Sequence, residues 1–271
     1  MANWKQFRDY EKTTSKRLKL PDGSRIVVLS DLQVPLQDDR LLNTIINDFM
    51  PWFNPVGAEY HVFLNGDVLD NYSISHFIAE ATPNFSLGDE IAMTREVLGR
   101  FGKEPLTGRH FVYGNHEKRW ARYVRENAPK MAEFLPGLHQ VLKLEEFGFD
   151  WVPYKKSYIV NGFVITHGDI TAQSAALTSV VRYGKSGTSG HVNRPQSYTH
   201  KKFTDNEPDT WYCTGMLCRP DVADIITDFE GQPWQQCFGI GEVSNGVVHY
   251  ELVRVHHGAF RAAGKMFKVG G

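Results

Sequence analysis

Val112-Tyr113-Gly114-Asn115-His116-Glu117 is the stretch that decides how this chain is to be understood. The apolar run from His110 to Tyr113 reads as a strand, and it ends in glycine. Asn115 and His116 stand side by side after it, and the chain from Glu117 to Asn127 reads as a helix. A polar pair at the carboxyl end of a strand fits neither a core nor an ordinary turn. In open α/β sheets that edge is where ligands are bound. Asn115 is therefore expected to hold a metal ion and His116 to handle a proton.

Working outward, other strands end in the same kind of chemistry. Ile26-Val27-Val28-Leu29 is apolar on both faces, which suits a strand covered on both sides, and it runs into Ser30-Asp31-Leu32-Gln33. Tyr60 to Leu64 runs into Asn65-Gly66-Asp67-Val68-Leu69-Asp70. Phe163 to Thr166 runs into His167-Gly168-Asp169, and a Gly/Ser-rich loop from Gly184 to Gly190 leads to His191-Val192-Asn193. Parallel strands joined by crossover helices put their carboxyl ends on one edge, so these segments should converge. Their donors are carboxylates, imidazoles and amide oxygens without thiolate, a mix that suits Mn, Fe, Zn or Mg rather than a structural zinc.

The intervening elements are conventional. Leu41, Leu42, Ile45, Ile46 and Phe49 recur at helical spacing, and Pro51 is expected to stop that helix. Ser86 and Asp89 have capping-box spacing before a helix with a stripe of Leu87, Ile91, Leu98 and Phe101. Pro129 suits the first turn of a further short helix, and Ala172 to Tyr183 reads as another. Asn161-Gly162 and Asn245-Gly246 are hairpin turns, and Pro21-Asp22-Gly23 is expected to join Arg17–Leu20 and Arg25–Ser30 as a hairpin. Trp211 to Cys213, Trp234 to Ile240 and Val247 to Val255 are strand candidates, expected to complete a second sheet.

The bulk numbers limit the alternatives. The chain has 271 residues, 41% hydrophobic and 23% charged, with a formal net charge of -1. That is ample for a full core and gives no global attraction for polyanions. Cys213, Cys218 and Cys237 are too few and unpaired for a disulfide framework, and Cys213 with Cys218 lacks the second pair of a zinc knuckle. Met1 to Leu20 has no apolar signal region, and no run is long enough to cross a bilayer, so a cytoplasmic protein is expected. Without an internal repeat or dividing linker, residues 1–271 read as one domain, with a motif-bearing core at about 25–195 and a β-rich completion at about 205–271. Arg182, Lys185, Arg194, Lys201 and Lys202 lie in a stretch free of acids, and Lys118, Arg119, Arg122 and Arg125 follow the opening motif. Near a metal site these cations would steer an anionic substrate; the second group equally suits a solvated helix face. His110 is expected inside a strand, and His76, beside Phe77, and His200 in loops without a role.

The ordered set Asp-x-Gln, Gly-Asp-x-x-Asp, Gly-Asn-His-Glu, His-Gly and Gly-His-x-Asn, spanning residues 25 to about 195, resembles the calcineurin-like metallophosphoesterases. The tail, with Trp211, Gly215, Trp234 and Gly241, is more loosely similar to phage-encoded members. The resemblance implies a four-layer αββα sandwich with two mixed sheets and a two-metal site at the strand carboxyl edge. It implies that Asp67 bridges both ions. Asp31, Gln33 and Asn193 would complete the first site, and Asn115, His167 and His191 the second. A hydroxide between the ions would attack phosphorus in line, with His116 beside the leaving oxygen and Asp70 orienting a neighbouring ligand.

This chain departs from the family pattern at two places. Gln33 and Asn193 stand where imidazoles are usual, and both changes fall on the first ion. Each is either a ligand or a hydrogen-bond partner of metal-bound water. Amide oxygen is a harder, weaker donor than imidazole, so the first site should be weaker and Mn favoured over Zn, with Mg, Fe or Ni also admissible. The expected function is hydrolysis of a phosphodiester or phosphomonoester, with nucleotides among the candidate substrates. The alternatives are a metal-dependent nuclease acting on DNA and a degenerate, non-catalytic phosphate- or protein-binding module. A phage-encoded protein would work in the host cytoplasm.

Overall fold

The computed structural model describes residues 14–76, 85–103, 105–201, 207–221 and 233–270. Two mixed sheets face one another. The larger contains β2 (Arg25–Leu29), β3 (Tyr60–Asn65), β4 (Gly108–Val112), β5 (Phe149–Val152), β11 (Cys237–Ser244), β12 (Val247–His256), β13 (Ala259–Ala262) and β14 (Lys265–Lys268), in the order β14-β13-β12-β11-β2-β3-β4-β5. Strands β2 to β5 run parallel, and β11 lies antiparallel against β2. The smaller contains β1 (Lys16–Leu18), β6 (Tyr158–Val160), β7 (Phe163–Thr166), β8 (Gly187–Ser189), β9 (Gln196–His200) and β10 (Asp209–Cys213), in the order β1-β6-β7-β8-β10-β9.

Three apolar seams hold four layers together. Ile26, Val28, Phe63, Val112, Tyr158, Ile165 and Tyr250 meet between the sheets. The alternate residues Val27 and Leu29 face outward, onto helix α1 (Asp39–Thr44), its continuation and α3 (Leu87–Arg100). On the far side, α6 (Ala175–Tyr183) packs Ala176 and Val180 against Val164 and Trp211. The αββα sandwich is thus the observed architecture, and no described helix is long and apolar enough to cross a membrane. The capping box at Ser86 and the hairpins at Asn161-Gly162 and Asn245-Gly246 are all present.

Several local expectations are corrected. Pro21-Asp22-Gly23 does not close a hairpin: β1 pairs with β6 in the small sheet, while both edges of β2 are occupied by β3 and β11. The Asn161 side chain satisfies Leu20 N at 2.8 Å and Leu20 O at 3.0 Å as the chain crosses between sheets. Pro51 does not stop its helix. Residues Ile45–Phe49 form a π-turn, and Pro51 opens a last turn, α2 (Met50–Phe53), where a missing N–H costs little. Residues after Pro129 form turns, and the next helix, α5, is Leu138–Val141. The Gly/Ser-rich stretch is partly strand β8, because only a residue without a side chain fits at Gly187, where a Cβ would meet Trp211 and Val164 O at 2.6 Å. The late strands divide: β10 joins the small sheet, and β11 to β14 extend the large one. His110 lies in β4, stacked on Phe63 at 4.4 Å. Phe77, Lys202 and residues 1–13 of the N-terminal stretch lie outside the described residues.

Candidate metal centre

The carboxyl ends of β2, β3 and β4 from one sheet and of β7 and β8 from the other bring the expected residues to one edge. Helix α4 (Asn115–Asn127) starts two residues earlier than its sequence pattern predicts, so Asn115 and His116 occupy its first turn. Backbone bonds tie the loop after β2 to that after β3: Asp31 N to Gly66 O at 3.0 Å and Gln33 N to Asp67 O at 2.9 Å. Asp31, Gln33, Asp67, His191 and Asn193 all have positive φ, between 50° and 72°. Such backbone is rare outside glycine and clusters at functional sites. Gly66 and Gly114 admit these neighbours, since a Cβ would meet the His167 ring at 2.5 Å and Asp67 N at 2.6 Å respectively.

Asp67 is central. Its Oδ1 accepts from His116 N at 2.9 Å, and its Oδ2 lies 3.1 Å from His167 Nε2 and 3.6 Å from His116 Nε2. The ligand atoms of Asp67, His167 and His191 all fall within 4.8 Å of one another. His167 Nε2 is also 3.1 Å from Asn115 Oδ1. Asp31 is fully buried, bonded by Ser30 Oγ and by His191 N, the latter at 3.1 Å. Asn193 is buried and its Oδ1 lacks a hydrogen-bond partner among the described residues. Gln33 is held beside Asp67 by its backbone, with a half-buried side chain. Asp70 reaches His116 rather than a ligand: Oδ1 lies 2.8 Å from Nδ1.

The donor set fits a cation. His167 Nδ1 donates to Asn65 O at 2.9 Å, which in a neutral ring turns the Nε2 lone pair toward Asp67 Oδ2 and Asn115 Oδ1. Three lone pairs then converge and repel unless a proton or a metal ion lies between them. In the metal-free protein the proton takes that place: burial disfavours the imidazolium, yet Asp67 and Asp31 push His167 up to about 10. Burial, opposed by His167 and reinforced by Asp67, pushes Asp31 up to about 7. Burial also raises Asp67, but His116 and His167 outweigh it and hold that carboxyl well below its usual range. Burial and then His167 lower His191 to about 4, leaving a neutral, ligand-competent ring.

Two residues escaped the sequence reasoning as working parts. Glu117, 1% exposed, accepts four backbone N–H groups: Gly114 at 2.7 Å, Val68 at 2.8 Å, Asp67 at 3.0 Å and Leu69 at 3.2 Å. The Gly-x-x-Glu spacing at the head of a helix was the available signal: the glutamate reaches back to the cap N–H, as one half of a capping box does, and glycine has no side chain to return the bond. Arg119, expected only as a surface cation, is buried against Asp70 and His116. Of the other cations, Arg182 pairs with Asp169 at 2.6 Å and Arg194 donates to Ala172 O at 2.6 Å, while Lys118 lies exposed over the Tyr154 ring at 5.3 Å. His76 pairs with Glu126 at 3.0 Å, away from the expected ligands.

The calcineurin-like phosphoesterase family model matches residues 24–254. The Gene 54 protein of Mycobacterium phage L5 is 28% identical over 267 residues, covering 91% of this chain and 100% of that protein. The Gene 54 protein of Mycobacterium phage D29 is 27% identical over 265 residues, with coverage of 91% and 100%. Among solved structures, vacuolar protein sorting 29 from Cryptosporidium parvum aligns over 92% of this chain and 100% of its own, at a TM-score of 0.46 and 11% identity. Wild-type Vps29 from Entamoeba histolytica, complexed with zinc, aligns over 88% and 96%, at a TM-score of 0.44 and 9% identity.

Proposed function

Since the chain belongs to the calcineurin-like phosphoesterase family, we propose that it hydrolyses phosphate esters, diesters or monoesters, with nucleotides among the candidate substrates. The observation that carries this is the convergence of Asp67, His167 and His191 ligand atoms within 4.8 Å, with His116 against the same Asp67 carboxylate. Asp67 would be common to two ligand sets. Asp31, Gln33 and Asn193 would complete the first, and Asn115, His167 and His191 the second. Divalent ions held there, with Mn favoured and the first ion weaker, would act as Lewis acids and yield a nucleophile from water at neutral pH.

The chain's own groups supply the remainder. Asn65 O fixes the His167 ring, and Asp31 fixes the backbone of His191. Asp70 Oδ1, 2.8 Å from Nδ1, orients the His116 ring, which would lie beside the leaving oxygen. Lys118, exposed on the first turns of α4, would help attract an anionic ester. The setting would be cytoplasmic, that of the host if the chain is phage-encoded.

The test is to strip the protein of metal, reload it with Mn, Mg, Zn or Ni, and assay an aryl phosphodiester, an aryl monoester and single-stranded DNA. Turnover of an aryl ester is expected, fastest with Mn. No turnover with any metal would refute the enzymatic role and leave a phosphate- or protein-binding module, whereas turnover of DNA alone would make it a nuclease. Full activity in His116→Ala would refute the role given to His116. Elemental analysis would count the ions.

A further inference from the structure

Arg119 sits one helical turn beyond His116 on α4, and its side chain is only 10% exposed. Nη1 donates to Asp70 O at 2.8 Å and lies 3.3 Å from Asp70 Oδ1. Nη2 lies 3.0 Å from His116 Nε2. Asp70 in turn meets His116 Nδ1 at 2.8 Å. The three side chains thus close a ring in which carboxylate, imidazole and guanidinium each touch the other two.

Arginine has donors only and keeps its proton in proteins. The contact at Nη2 is therefore a hydrogen bond only when Nε2 offers a lone pair and the ring proton sits on Nδ1, toward Asp70. The planar guanidinium fork also holds its geometry more firmly than the point charge of a lysine would.

We propose, on the basis of the phosphoesterase function above, that Arg119 is the positioning residue of His116: it fixes the ring through Nε2 and sets a permanent positive charge beside the leaving oxygen. When the P–O bond breaks, its electron pair goes to the leaving oxygen. The negative charge developing there is met by the guanidinium–imidazole pair. The attacking water supplies the oxygen that joins phosphorus, and a solvent proton completes the released alcohol. Nothing else is consumed.

The experiment uses Arg119→Lys and Arg119→Met in the full chain, with metal content measured on each preparation. Aryl phosphate esters whose leaving groups span a range of basicity are compared. In Arg119→Met, kcat should fall roughly 100-fold for the most basic leaving groups and much less for the least basic, with KM little changed; Arg119→Lys should recover part of the loss. An equal loss across the series would reduce Arg119 to a structural part and overturn the proposal. The second readout needs no turnover: ring-nitrogen NMR shifts of His116 in the metal-free protein. Under conditions where the ring is neutral, wild type should show the proton on Nδ1 and a hydrogen-bonded Nε2, and Arg119→Met should lose that Nε2 signature. Unchanged shifts in Arg119→Met overturn the proposal, including in a protein that proves inactive with every metal, the result that refutes the phosphoesterase function itself.

Discussion

Replacing Glu117 with glutamine is the most direct probe of how the site is built. The carboxylate is buried and accepts two N–H groups on each oxygen: Val68 and Leu69 on Oε1, Asp67 and Gly114 on Oε2. Glutamine keeps the shape but turns one oxygen into an NH2 group. Whichever way the amide lies, two backbone donors face another donor. A buried unsatisfied donor costs about 1–3 kcal/mol, so the loss is roughly 2–6 kcal/mol. Against this, the neutral amide escapes the burial cost, and the repulsion from Asp67, that hold the Glu117 carboxyl above its usual range. The net expectation is therefore the lower part of that range, about 2–4 kcal/mol. The assay is urea unfolding of metal-free wild type and Glu117→Gln, followed by Mn titration of both. Metal affinity should fall too, because the freed N–H groups belong to Asp67 and its neighbours. A stability change under about 0.5 kcal/mol with unchanged Mn affinity would refute the clamp, since surface substitutions do no more than that.

Three further outcomes are expected. Gly114→Ala, whose Cβ would lie 2.6 Å from Asp67 N, should destabilise by about 1–3 kcal/mol and cost metal affinity, read by thermal unfolding and metal titration. In the metal-free protein His167, pushed up to about 10, keeps a proton that the unfolded chain releases, so stability should fall as pH rises from about 6.5 to 10. Between about 4 and 6.5 the proton kept by Asp31, pushed up to about 7, is opposed by the protons that His191 at about 4 and His110 at about 3 shed on folding, so the Asp31 contribution is read as a difference from Asp31→Asn. Each proton contributes at most about 1.4 kcal/mol per pH unit, and in urea melts Asp31→Asn should gain stability relative to wild type as pH rises from about 4 to 7; an unchanged difference over that range would contradict the Asp31 assignment, and a wild-type profile that rises from about pH 7 to 10 would contradict that of His167. The double substitution Gln33→His with Asn193→His should raise affinity for Zn relative to Mn in competition titrations, and an unchanged ratio would remove both residues from the first ion's ligand set.

Much of the edge was legible in sequence because its signals are local. Asp31, Asp67, Asn115, His167 and His191 each follow a strand or a glycine-rich turn, and strand order does the rest. What was not legible depends on partners distant in the chain. Glu117 takes its meaning from Val68 and Leu69, and Arg119 from Asp70, across loops that only the fold brings together. Gly187 reads as a loop residue until Trp211 is packed against it. The same holds for β1, whose partner β6 is distant in the chain and belongs to the small sheet, not to the sheet that holds β2. The positive φ of Gln33 has no sequence signature either, because that residue type does not favour it.

That backbone strain bears on why the first ion should be the weaker one. Five residues at positive φ, at about 1 kcal/mol or more each, amount to a cost comparable with the net stability of a domain. Backbone bonds over-determine it: Asp31 N to Gly66 O, Gln33 N to Asp67 O, Val34 N to Val68 O and Asp70 N to Val34 O lace the two loops together, and Glu117 fastens them to α4. A site held by its backbone does not need the ion to shape it, so affinity is decided by the donors it presents. On the proposed second side those donors would include two imidazoles, the His167 ring fixed by Asn65 O and the His191 backbone held by Asp31. On the proposed first side they would be the Asp31 carboxylate, a glutamine at positive φ and an asparagine whose Oδ1 has no hydrogen-bond partner among the described residues. The difference proposed between the two ions then lies in amide oxygen against imidazole nitrogen, which is why restoring the imidazoles, rather than relaxing the loops, is the change expected to equalise them.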